Sequence, residues 1–222
     1  MRKINNPQVD KEHYSFSNYS SERRYISYYH QINNMMQLIN GHGAKKILIA
    51  GKGDGVVQKI LEAYNELLNL DLTIKTFDFA QDLNPDFLGD LVEIEKIVAE
   101  KFDIILCCQV LEHIPLEEAL SVLSQMKKIA RFVIISVPYK AITVRGTLKI
   151  PLIKEFEYCI KIPIWDSKTG MVDDRHFWEI GFNISLKKLI NKIRGLGYDI
   201  LSSYVVKKDG FKYFFVLGSG ID

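Results

Sequence analysis

The stretch Lys46-Ile47-Leu48-Ile49-Ala50-Gly51-Lys52-Gly53-Asp54-Gly55 decides how the rest of this chain is read. Lys46 to Ala50 is a short apolar run, the glycines break it, and Val56 to Leu70 continues with the spacing of an amphipathic helix. Strand, glycine turn and helix in that order let a ligand lie against bare backbone, with free amides and a helix N-terminus to hold its polar parts. A purely structural turn also takes one or two glycines, so spacing has to choose the ligand. A dinucleotide fingerprint wants its third glycine where Val56 stands, and an acidic residue about 20 positions on. The acidic candidate, Asp78, lies 27 positions beyond Gly51. Both departures disfavour a nicotinamide cofactor.

Outward from this unit, Leu72 to Phe77 reads as a second strand ending at Asp78, and Phe102 to Cys108 is a nearly all-apolar run before Gln109. Strands apolar on both faces imply a parallel sheet covered by helices. Pro115 opens a helix with Glu117 and Glu118 in its first turn and Lys127 and Lys128 in its last, matching the helix dipole. Arg131 to Val137 is the next strand, ended by Pro138. Upstream, residues 1–20 lack periodicity and read as an arm. Ser20 and Ser21 then cap a helical stripe of Tyr25, Ile26, Tyr29, Ile32, Met36 and Ile39, stopped at Asn40-Gly41. Downstream, 139–183 loses the alternation and is rich in Pro, Trp, Tyr and Lys, with one period-two run at Phe156, Tyr158, Ile160, Ile162 and Ile164, which reads as an insertion over the sheet. Ser185 caps a last helix ended by Gly195 and Gly197, and Ile200 to Val206 and Lys212 to Leu217 flank an Asp209-Gly210 turn as a closing antiparallel hairpin.

The expected fold is therefore α/β, a doubly wound, mostly parallel seven-stranded sheet with an antiparallel C-terminal hairpin and an inserted cap segment. The 222 residues, 47% hydrophobic and 25% charged, suit one domain, divided into an N-terminal arm and lid helix (1–42), a cofactor half (43–138), a substrate-side insertion (139–183) and a final helix and hairpin (184–222). A net charge of +2 offers no single-sign field for nucleic acid or an anionic membrane. Three cysteines, two adjacent at Cys107 and Cys108, form neither a disulfide framework nor a metal spacing. The polar N-terminus and the lack of long apolar runs lead to the expectation of a cytoplasmic protein, monomer or homodimer, with no membrane partner.

Taken together, these residues resemble the class I S-adenosylmethionine-dependent methyltransferases, in particular their small-molecule, type 11-like branch, over roughly Lys45 to Pro138. The glycine loop is similar to the family's loop around the methionine part of the cofactor, which implies contacts from Ala50, Gly51, Lys52, Gly53 and Gly55. Asp78 matches the acidic residue that holds both ribose hydroxyls, with Phe79 beside it; Asp90 and Leu91 match the adenine contacts. Phe102-Asp103 leading to Gln109-Val110-Leu111-Glu112-His113-Ile114-Pro115 is similar to the family's fourth-strand motif, implying cofactor contacts from Gln109, Val110 and His113. One departure stands two residues before Gly51, where the family has Glu or Asp and this chain has Ile49. Lys52 is expected to pair with the cofactor carboxylate or to be solvated. In the N-terminal helix, Arg24 and Tyr29 are the candidate carboxylate and ring contacts of a lid.

The resemblance implies S-adenosylmethionine as cofactor, S-adenosylhomocysteine as product, and methyl transfer to an oxygen or nitrogen of a small acceptor such as a sugar or secondary metabolite. Alternatives are a non-catalytic S-adenosylmethionine-binding regulator, motivated by Ile49, and an RNA or protein methyltransferase. A sulfonium methyl is already activated, so the protein mainly aligns the acceptor and removes its proton. His113, after the fourth strand, and His176, in Asp173-Asp174-Arg175-His176-Phe177-Trp178-Glu179-Ile180-Gly181, are the candidate bases. Glu112 is expected to anchor its loop. Asp173, Asp174 and His176 do not have a metal-ligand spacing, and no metal is expected.

Overall fold

Alternating side chains of the central strands are apolar on both sides, and the register turns this alternation into two cores. The computed structural model describes residues 14, 20–149, 156–162 and 175–220. In it Leu48, Ile105, Val133 and Leu217 lie in one cross-sheet row, while Ile49, Leu106, Ile134 and Val216 lie in another. The first row belongs to a core with Ile94, Leu123, Met126, Leu189 and Ile193; the second to a core with Met35, Leu38, Val57 and Leu61. A sheet that buries both faces is the expectation from its uninterrupted apolar strands.

The strands are β1 (Lys46–Ala50), β2 (Thr73–Asp78), β3 (Phe87–Leu88), β4 (Phe102–Cys108), β5 (Ala130–Pro138), β6 (Ile142–Leu148), β7 (Phe156–Ile162), β8 (Asp199–Val205) and β9 (Lys212–Gly218). The helices are α1 (Glu22–His42), α2 (Val56–Leu68), α3 (Ile94–Ile97), α4 (Leu116–Ile129) and α5 (Leu186–Gly195). The main sheet runs β3-β2-β1-β4-β5-β9-β8. Strands β1 to β5 pair in parallel, and β9 is antiparallel to both β5 and β8. This is the seven-stranded, doubly wound sheet with a closing hairpin expected from the sequence. Strand order reverses between β1 and β4, so their carboxyl ends open the crevice in which ligands of such sheets bind.

Two local expectations change. Helix α1 passes through Asn40 and Gly41 and ends at His42, because the stop is Gly43, whose left-handed backbone (φ 66°) turns its amide onto the Ile39 carbonyl. A glycine inside a helix weakens it by roughly 1 kcal/mol without ending it, whereas a left-handed residue does end it. The period-two run forms β7 and pairs with β6 as a separate two-stranded sheet. Its apolar set, Phe156, Tyr158, Ile160 and Ile162, stands opposite Leu148, Val144 and Ile142, and all of these are exposed. Alternation shows which residues share a face, not which way that face looks. Ile164, Asp173, Asp174 and most of the N-terminal arm lie outside the described residues. Among those described, no helix is long and apolar enough to cross a membrane.

Candidate functional site

The glycine loop leaves β1 with three left-handed glycines, Gly51 (φ 89°), Gly53 (φ 56°) and Gly55 (φ 74°), the last capping α2. The Gly51 amide donates to the Phe77 carbonyl at 2.8 Å, and the Lys52 amide to Asp78 Oδ2 at 2.8 Å. Asp78 Oδ1 accepts the Ala80 amide at 3.0 Å, and its own carbonyl accepts the Gly89 amide. The buried carboxylate thus ties the first loop to the second, yet a carboxylate offers about four acceptor positions and two remain for hydroxyls. Ile49 points into the core below α2, so loop organisation falls to Phe77 and Asp78.

Lys52 Nζ donates to the Asn84 carbonyl at 2.8 Å in an exposed contact that straps the glycine loop to the segment after β2. Phe79 is partly exposed at the end of β2. Asp90 caps a short 3-10 turn through the Val92 amide at 3.2 Å, and the side chain of Leu91 is buried in the core. Gln109 takes a left-handed backbone (φ 58°) at the end of β4, held by its amide on Ser136 O at 2.9 Å and its Nε2 on Ser136 Oγ at 3.3 Å. Val110 then presses against the glycine loop: a Cβ on Gly51 would meet Val110 Cγ2 at 2.4 Å.

The N-terminal region reaches the loop through residues that the helical stripe does not single out. Tyr28 Oη donates to Asp54, and the ring of Tyr14 lies 3.9 Å from where a Gly53 Cβ would stand. Tyr29, one position and about 100° round the helix from Tyr28, is exposed and packs edge-on to His30. The charge of Arg24 bears on Lys212 at the start of β9, and Arg23 lies over the ring of Phe211. Helical spacing locates a stripe but not the residue at its edge that touches a loop, and nothing local marks Tyr14.

On the far side of Val110, residues 175–180 are stitched to residues 111–114. The Phe177 amide donates to Glu112 O at 2.8 Å, and Trp178 Nε1 donates to Leu111 O and Ile114 O, both at 3.1 Å. This docking brings His113 and His176 together, 63 positions apart in sequence, with ring centroids 4.9 Å apart and edge-on. His113 Nδ1 meets Arg175 O at 3.3 Å, and His176 Nδ1 meets Glu179 Oε1 at 2.7 Å. Glu112 anchors its loop through the main chain; its fully buried carboxylate has no hydrogen-bond partner among the described residues. Burial pushes that carboxyl up to about 7, opposed by its own backbone amide, which lies near it but outside hydrogen-bond geometry, and by His176, and reinforced by Glu179. Cys107 and Cys108, behind this cluster on β4, have thiols raised by burial and are poor nucleophiles.

No protein-family model matches the chain. Ubiquinone biosynthesis O-methyltransferase of Actinobacillus pleuropneumoniae serotype 7 (strain AP76) is 28% identical over 109 residues, 44% of this chain and 46% of that protein, so the match spans about half the length of this curated relative. Magnesium protoporphyrin IX methyltransferase of Synechocystis PCC 6803, solved with bound S-adenosylhomocysteine, superposes with a TM-score of 0.57 at 14% identity, over 97% of this chain and 90% of that one. The small RNA methyltransferase HEN1 superposes with a TM-score of 0.59 at 14% identity, over 87% of this chain and 25% of that one. The fold is that of the class I S-adenosylmethionine-dependent methyltransferases.

Proposed function

We propose that the chain binds S-adenosylmethionine at the carboxyl ends of β1, β2 and β4 and transfers its methyl group to an oxygen or nitrogen of a small-molecule acceptor. The observation that carries this reading is the convergence of a left-handed glycine loop, the Asp78 carboxylate and the His113–His176 pair on one edge of the sheet. The residues suit the cofactor: among the described residues the positions of Gly53 and Gly55 have no atom closer than 3.9 Å to a Cβ, and Asp78 retains acceptor capacity for two ribose hydroxyls.

When bound, the cofactor supplies an electrophilic methyl group, so this chain has to provide alignment and proton removal. Val110 and Gly51 fix the spacing between the glycine loop and the loop after β4. Glu179 holds the ring of His176, and Arg175 O that of His113, at the acceptor side of that loop, where the proton of a hydroxyl or ammonium acceptor leaves. A near-neutral chain supports a small acceptor over RNA. By their names the relatives belong to ubiquinone biosynthesis, magnesium protoporphyrin IX methylation and small RNA methylation, and do not choose between acceptor classes.

Isothermal titration with S-adenosylmethionine and S-adenosylhomocysteine tests the assignment. Wild type is expected to bind both, and Asp78→Ala to lose at least tenfold in affinity, the removal of two charge-assisted hydrogen bonds. No binding by wild type would refute the reading.

A further inference from the structure

Glu112 is a carboxylate in the protein interior with neither oxygen hydrogen-bonded among the described residues. An uncompensated buried charge costs several kcal/mol, and proteins tolerate one where it is neutralised or coordinates a cation. The groups beside it are imidazoles. One ligand atom from each of Glu112, His113 and His176 lies within 4.8 Å of the others. Ion–ligand distances near 2.1 Å would draw such atoms to roughly 3–3.5 Å apart, a side-chain adjustment of about an ångström.

The two rings have outer contacts of the kind that support ligating histidines. Each has Nδ1 against an acceptor, Arg175 O for His113 and Glu179 Oε1 for His176. An imidazole that donates through Nδ1 carries its lone pair on Nε2, and this outer support from a carbonyl or carboxylate is the usual companion of a ligating histidine. The backbone is pinned as well, since Trp178 and Phe177 fasten the segment bearing His176 to the one bearing Glu112 and His113.

We propose that Glu112, His113 and His176 form a site for one divalent transition-metal cation of the zinc, cobalt or manganese group. Two nitrogens and one carboxylate oxygen are a donor set that such ions take and that leaves coordination positions open. Sequence spacing raises no such expectation, because the ligands come from two segments that only the fold brings together. The role of the cation rests on the methyl-transfer reading. It binds the acceptor's hydroxyl oxygen and acidifies it, so that the proton passes to water and the oxygen pair is free to take the methyl group. The histidines then serve as ligands in place of a general base, and the acceptor is a hydroxyl compound.

The test uses the full chain stripped with chelator, titrated calorimetrically with Zn²⁺ and Mn²⁺ and followed by visible absorption with Co²⁺, all without cofactor. Stoichiometric binding is expected, reduced at least tenfold in Glu112→Gln and in His176→Ala and unchanged in His42→Ala, a control at the end of α1. Without metal, Glu112→Gln is expected to melt above wild type, because the bare charge is gone, and addition of metal should raise the melting point of wild type alone. Binding that survives Glu112→Gln, or no binding by wild type, overturns the site. Asp78→Ala should keep full metal affinity, so loss of the cofactor assignment and loss of the metal site are separate outcomes.

Discussion

A methyl group on Gly51 would arrive 2.4 Å from Val110 Cγ2 at a φ of 89°, so space and backbone both demand glycine there. Gly51→Ala should lower stability by about 2 kcal/mol or more, combining left-handed strain with overpacking, as read from urea midpoints. Gln109 presents the converse: a side chain held at φ 58° beside the site, a conformation that costs about 1 kcal/mol in a residue with a Cβ. Gln109→Gly should therefore raise the urea midpoint while lowering turnover, because the contact with Ser136 Oγ is lost. His30 makes the stability pH-dependent. Burial lowers its pKa, with Lys212 adding to the shift and Asp209 opposing it, so the unfolded chain takes up the proton first on acidification. Stability should be intact above the ordinary histidine value of about 6.5 and fall as pH drops through it; His30→Gln should remove part of that slope in urea titrations at stepped pH. The glycines and Asp78 are legible in sequence because they act within one turn. The bare carboxylate of Glu112 is not, because its surroundings are supplied by residues about 65 positions away.

At the scale of elements, the helix ends show which signals are local. Ser185 reads as a cap and is one, its hydroxyl accepting the Lys188 amide at 3.2 Å, and Ser185→Ala should cost about 1 kcal/mol in chemical denaturation. Ser21 occupies the same position on α1 without a side-chain bond, so Ser21→Ala should cost little by comparison. Among the described residues the β6–β7 pair has no third strand, and a lone two-stranded sheet is marginal in water. Its amides should exchange with solvent at least 100-fold faster than those of β4 and β5, measurable by hydrogen exchange with mass spectrometry. The strand pattern of 139–183 is readable only as a repeat of two; its partner β6 carries Thr143, Arg145 and Thr147 between apolar residues and offers no run long enough to stand out.

For the whole molecule, the legible part of the fold is the part whose strands are buried on both sides, since β1, β4 and β5 announce themselves as continuous apolar runs. The pairing of β9 with β8 follows from the hairpin turn at Gly210, and the other side of β9 pairs with β5. What binary pattern cannot deliver is the meeting of distant loops, and the site is made of such meetings: Tyr28 with Asp54, Val110 with Gly51, His176 with His113. One of these meetings is self-reporting. The chain has two tryptophans, and the indole of Trp178 is buried with its N–H shared between Leu111 O and Ile114 O. In a Trp165→Phe background its emission colour becomes a gauge of whether the histidine-bearing segment is seated, blue while docked and red once water reaches the ring, so the assembly of the site can be watched in real time without a label.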